Sequence, residues 1–191
     1  MKRRRVLYLS LVRSQFEHCS QVWRPNCKTM FEKFEKFQAK CLKWILREEE
    51  LSYSDVIYIQ KCREADILPL KYKFYLNDMV FLHEILCGRS PLQLPEYLNF
   101  FDGNSRLRFT HLDALSFVSS LTSCNNGTRN LQKSFFFRSH TLYNSLPIEI
   151  RSCWKQIEFK DKLTSYFWEK LMEEIYESTD DLSFCLSDDG G

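Results

Sequence analysis

Between Phe31 and Arg47 the chain reads FEKFEKFQAKCLKWILR, and a basic residue returns at intervals of three, four, three and four: Lys33, Lys36, Lys40, Lys43 and Arg47. That interval is the repeat of an α-helix. At about 100° per residue the five cations fall in one narrow stripe. Phe31, Phe34, Phe37, Cys41, Leu42, Trp44 and Ile45 fall on the other side as a broad apolar face. Neither Gly nor Pro interrupts the segment, which is filled by the good helix formers Glu, Lys, Ala and Leu. A helix over about residues 28–47 follows. Lysine stripes are ordinary on helices that bury their other side, as the wet face. The sharper alternative is a surface that tracks phosphates.

The same period recurs along the chain. Leu9, Val12, Phe16, Cys19 and Trp23 predict a helix over about 5–22, stopping before Pro25. Ser54 or Asp55 is positioned to cap a third helix that runs to about Asp66, ahead of Pro69. LKYKFYLNDMVFLHEILCG is a fourth, with Gly88 at its natural stop. Further helices are expected over 134–144, briefly after Pro147, and over about 156–177. Residues 89–133 lose the helical period. They read as a long irregular connection, with room for a small β hairpin made of LRFTHL (107–112) and a partner near 130–136. Only 5 Gly and 5 Pro in 191 residues exclude a turn-rich all-β protein. The fold class expected is mainly α, a bundle-like helical chain. Its divisions are a basic helical pair at 1–50, a helical region at 51–177 and an acidic disordered tail at 178–191.

The net charge of +2 hides an uneven layout. Residues 1–47, which include Arg3, Arg4 and Arg5, hold 12 Lys/Arg against 3 Asp/Glu, a balance of +9. Residues 169–191 hold 1 against 8, a balance of −7. A basic head of this kind points to a polyanionic partner, with the tail solvated or shielding the head.

The start, MKRRRVLYLSLVRS, has the basic and apolar parts of a leader, but its apolar run is short and Arg13 ends it without a cleavage signal. The helical period continues through it. No run approaches the ~18 apolar residues of a membrane span. The expected location is intracellular, nuclear or cytoplasmic, and the eight cysteines are expected to be reduced. None of them forms a Cys-x-x-Cys pair.

Catalytic patterns fail one by one. His18 and Cys19 are adjacent, so on a helix they point about 100° apart and do not make a base–nucleophile pair. His83-Glu84 lacks the second histidine of a helical zinc site. The glycine-rich loop of a phosphate site is missing. Asp180-Asp181 and Asp188-Asp189 lie in polar surroundings without the strands that hold a polymerase aspartate pair. No cofactor, no metal and no enzymatic activity of the chain's own are expected.

Four segments together carry a resemblance. LYLSLVRSQFEHCSQVWRP (7–25) resembles the segment after the polymerase core in reverse transcriptases of jockey-like LINE (non-LTR) retrotransposons. ILPLKYKFYLNDMVFLHEILCG (67–88) is similar to their next helical block, and SFFFRSHTLYNSLPIEIRS (134–152) to their Phe-Phe-x-Arg…Trp-Asn-x-Leu-Pro signature, with Tyr143 where Trp is usual. FKDKLTSYF (159–167) follows in place. The resemblance spans about 7–167. It implies the back of the thumb and the region after it, with the polymerase core and endonuclease upstream of residue 1. A family thumb grips the template–primer duplex. The resemblance thus implies an RNA or RNA–DNA duplex backbone as partner, bound without sequence preference. The charge pattern, not the resemblance, offers the residues expected to meet it: Lys33, Lys36, Lys40, Lys43 and Arg47, with Arg3, Arg4 and Arg5. The missing polymerase core is a second partner. The competing class is a helical protein-interaction module whose exposed Phe and Trp meet another chain. In either case Arg138 and Asn144 are expected to be structural, bonding the loop around Pro147.

Overall fold

The first helix of the chain does not keep one pitch. A computed structural model describes residues 2–25, 27–48, 55–95, 98–100, 115–117 and 134–185. Helix α1 (Lys2–Leu7) passes into a π-type stretch at Tyr8–Arg13 and then into α2 (Ser14–Glu17). The hydroxyls of Ser10 and Ser14 bond back to the carbonyls of Val6 and Ser10, at 2.8 and 2.6 Å, a local competition with the helix ladder. The wider turn brings Tyr8 and Arg13, five residues apart, onto one side, and both are buried. The expected face of Leu9, Val12, Phe16, Cys19 and Trp23 is only partly turned inward; Cys19 and Trp23 are exposed. The rod ends at Cys19, whose φ of 51° is left-handed, and a single turn, α3 (Ser20–Trp23), follows.

Helix α4 (Lys28–Leu46) runs back along this rod. Arg4 meets Trp44, the Tyr8 hydroxyl donates to Gln38 Oε1 at 3.0 Å, and Phe16 packs edge-on against Phe34 and Phe37. Helix α5 (Asp55–Glu64) leads through Asp66 into α6 (Leu70–Leu86). Buried side chains cover most of the circumference of α6, from Leu70 and Phe74 to Met79, Leu82 and His83. A helix buried over so wide an arc belongs at the centre, and α3, α4, α7 and α9 pack around it. Gly88, at φ 66°, stops it as its sequence position predicts.

Strand β1 (Leu98–Phe100) pairs antiparallel with β2 (Leu115–Phe117), Asn99 opposite Ser116. The small β element is thus built from other residues than expected. Residues 107–112 and 130–133 lie outside the described residues. Ser134 instead caps α7 (Phe135–Asn144), its Oγ accepting from Phe137 N at 3.3 Å, so 134–136 begins a helix rather than a strand. A short α8 (Ile148–Arg151) opens after Pro147, and α9 (Gln156–Cys185) closes the described chain.

Two expected boundaries move. One cluster of buried side chains joins Tyr8, Leu42 and Ile45 to Leu68, Met79, Tyr143, Phe159 and Phe167. The basic pair at 1–50 therefore shares its core with 51–177, because each of its helices has only one apolar side and α6 supplies the surface that covers it. The last helix continues to Cys185, past the tail boundary at 178. No Gly or Pro stops it before Gly190.

Candidate nucleic-acid interface

Helix α4 positions the cation ladder. It buries Gln38, Ala39, Leu42 and Ile45, with Phe31 and Phe34 half-buried beside them. The buried Gln38 amide accepts from Tyr8 and donates to the carbonyl of Leu68 at 3.3 Å, so its polar atoms are satisfied in the core. Opposite this face, Lys33, Lys36, Lys40 and Arg47 are exposed and Lys43 is half-buried. Lys33, Lys36 and Lys40 thus lie on the outward side of α4, with Arg47 exposed at its C-terminal cap. Arg47 does more than carry charge. It closes α4 at φ 64°, and Glu48 N bonds the carbonyl of Lys43 at 3.2 Å across the turn.

The apolar face is narrower than the sequence pattern suggests. Phe37 and Trp44 are 41% and 47% exposed. The buried arc of α4 centres on Gln38, Leu42 and Ile45, and these two rings sit at its edge beside the lysines. On that edge the α1–α2 rod reaches them. Phe16 stands edge-on to Phe37 with ring centroids 5.4 Å apart, and the Arg4 guanidinium lies 5.3 Å from the centre of the Trp44 ring.

The N-terminal arginines divide. Arg3 is exposed. Arg4 stacks on Trp44 and donates to its carbonyl at 2.7 Å. Arg5 pairs with Asp66 at 2.5 Å and also donates to the Asp66 carbonyl. Arg4 and Arg5 are therefore anchors that fasten α1 to the ends of α4 and α5, and the ladder rather than this triplet forms the outward charge.

Other polar groups were not singled out by the sequence. Glu35 turns inward. It accepts from Lys71 N at 2.7 Å, from Leu70 N at 3.3 Å and from the Tyr58 hydroxyl. It caps the N-terminus of α6, where a carboxylate meets the positive end of the helix dipole. Burial pushes its carboxyl above the usual range, against the pull of these hydrogen bonds. In the interior, Asp78 lies 2.9 Å from Arg24 and 3.0 Å from Arg138, and Arg138 also donates to the carbonyl of Gln21. Arg138 therefore ties α7 to α6 and to the turn before Pro25, rather than serving only its own loop. The three partners come from WRP, LND and FFFR, one from each of three segments that carry the resemblance.

The catalytic candidates do not gather. His18 and Cys19 are both exposed, at the break after α2. His83 is buried, its Nε2 2.7 Å from the carbonyl of Cys153 and its ring stacked on Phe159 at 4.1 Å. Among the described residues no three His, Cys, Asp or Glu side chains are grouped to hold a metal ion. Cys19, Cys27, Cys41, Cys62, Cys87 and Cys153 are free thiols. The side chains of Asp180 and Asp181, and all of Asp188 and Asp189, lie outside the described residues. No helix among the described residues is long and apolar enough to cross a membrane. Protein-family models, curated proteins and solved structures were compared with the chain, and none of them matches it.

Proposed function

We propose that this chain binds the backbone of RNA or of an RNA–DNA duplex, without sequence preference, through the outer face of α4. In this reading it is a non-catalytic, C-terminal part of a reverse transcriptase of the jockey-like LINE kind. One observation carries the reading: Lys33, Lys36, Lys40 and Arg47 share the exposed side of a helix whose other side is locked into the core. Cations on a rigid rod neutralise successive phosphates without reading bases. The polymerase palm and its metal-binding aspartates belong, in this proposal, to an upstream part of the parent enzyme.

The test is salt dependence. Replacing Lys33, Lys36 and Lys40 together with Gln preserves helix propensity and the buried face. Affinity for a generic RNA–DNA duplex is expected to fall, and the slope of log K against log salt to flatten by roughly two to three units, about 0.9 for each phosphate that is no longer neutralised. An unchanged slope returns the ladder to an ordinary wet face.

A second partner is favoured by the exposed apolar residues of the rod. Val6, Leu7 and Leu11 are exposed on the outer surface of the first helical segment. In the same proposal this surface meets the polymerase core. In the competing reading it meets an unrelated protein, and the salt slope separates the two, because an apolar interface is weakly salt-dependent.

A further inference from the structure

The outward side of α4 holds a second repeat beside the ladder. Met30, Phe37 and Trp44 recur every seven residues and are 39%, 41% and 47% exposed. Lys33, Lys40 and Arg47 recur at the same interval, each three residues after its apolar neighbour, and are exposed as well. Seven residues make about two turns, so each row runs nearly along the helix axis with steps of about 10.5 Å. Three residues correspond to about 300°, which sets Lys33 and Lys40 roughly 60° around from the apolar row, with Arg47 following at the left-handed cap. The carboxylates of α4 lie elsewhere: Glu35 is turned into the core and Glu32 falls on the far side of the ladder. An exposed Phe or Trp standing alone is unremarkable. A row of them flush with a row of cations has both parts of a platform for unpaired nucleotides, rings for bases and ammonium or guanidinium groups for phosphates.

The two rings are also held in place. Arg4 covers one side of the Trp44 indole and is anchored to the Trp44 carbonyl at 2.7 Å, which leaves the exposed side of the ring outward. Phe16 braces Phe37 in a T-shaped contact. Side chains fixed in this way lose little conformational freedom when something stacks on them. A duplex cannot use such rings, because its base faces are occupied by neighbouring bases.

We propose that this face takes single-stranded RNA or DNA in preference to duplex, with bases on Trp44 and Phe37 and phosphates on Lys33, Lys40 and Arg47. The inference rests on the reading that the ladder meets a nucleic-acid backbone, and narrows it to strands with unpaired bases. Charge selects this occupant over an apolar protein segment, since each exposed ring has a cation at its side.

The experiment measures fluorescence anisotropy of labelled oligo(U) and of an RNA–DNA duplex of equal length, with the full chain and with three variants. Trp44→Leu with Phe37→Leu removes the rings, Trp44→Phe keeps an aromatic face, and Lys33→Gln with Lys40→Gln removes charge. The wild type is expected to bind oligo(U) more tightly than the duplex. The double Leu variant loses about thirty-fold or more on oligo(U), following the stacking contribution of two bases, while its duplex affinity stays within about two-fold. Trp44→Phe retains most of the binding. Equal losses on both probes, or none on either, overturn the stacking proposal. If the lysine variant still weakens both probes in that case, the backbone reading stands alone. If the lysine variant binds like wild type, both readings fall. Capture of an acidic helical peptide in place of oligo(U) overturns the proposal as well.

Discussion

Glu35 accepts the first two backbone N–H groups of α6 together with the Tyr58 hydroxyl. Its carboxyl is raised from an ordinary value of 4.5, and burial is the main cause. The sign follows from linkage. A carboxyl with a raised folded value adds stability that is fully present below the unfolded value and is lost as pH rises through the folded one. Ionising Glu35 in its buried site therefore works against folding as the pH climbs above 4.5. Glu35→Gln keeps an oxygen for the shorter backbone contact, from Lys71 N, gives up the longer one from Leu70 N at every pH, and removes the charge. Thermal melts between about pH 4 and pH 8 are expected to show the variant gaining on the wild type as pH rises. A difference in Tm that stays flat across that range rules this account out.

At the scale of the element, α4 ends in a way that sets stability against binding. Its last turn closes on Arg47 in the left-handed region, a position where a side chain costs about 1 kcal/mol that glycine avoids. Arg47 is also the last rung of the ladder. Arg47→Gly is expected to raise the unfolding free energy by up to about 1 kcal/mol, read by chemical denaturation. The same variant is expected to flatten the salt slope of duplex binding by about 0.9, the share of one cation. A variant that is stabilised with an unaltered slope places Arg47 outside the phosphate track. The π-type stretch of the first rod is the other element whose geometry has a consequence. By turning Tyr8 and Arg13 inward together, it lets Arg13 donate to the carbonyl of Leu68 and pair with Glu17, each at 2.7 Å, while Tyr8 reaches Gln38.

Across the whole molecule, the Arg24–Asp78–Arg138 cluster joins the turn before Pro25, the central helix and α7. Asp78 is the single carboxylate between two cations, and all three groups are largely removed from water. Burial pushes the Asp78 carboxyl up while Arg138 and Arg24 hold it down. Taking the carboxylate away removes the counter-charge that two guanidinium groups share in the interior. Asp78→Ala is accordingly expected to cost about 3–5 kcal/mol in denaturant unfolding, well above the ~1 kcal/mol of a typical substitution. A loss below about 1 kcal/mol shows that water or neighbouring carbonyls satisfy the arginines without it. The cluster also explains why residues 1–50 do not form a separate unit. Their turn at Arg24 and their helix α4 are both fastened to α6, one by charge and one by apolar packing.

The order of helices was legible in the sequence, because a helix is specified by side chains three and four positions apart and by Gly and Pro at its ends. The outward position of Lys33, Lys36, Lys40 and Arg47 was legible for the same reason, as was the stop at Gly88. Other features depended on the tertiary structure. The stops at Cys19, Arg47 and Asp66 are left-handed at residues that carry side chains, and no local preference announces them. Phe37 and Trp44 belong by period to the apolar face, yet they lie at its edge, where the neighbouring rod covers part of each ring. Glu35 looks like a surface carboxylate until the start of α6, some 35 residues away in sequence, is brought against it. Asp78 meets Arg138 from 60 residues away, and Arg24 joins them from a third segment. Periodicity acts over one or two turns of helix, whereas partners for buried charge and cover for a borderline ring are chosen by whichever segments the packed core brings together.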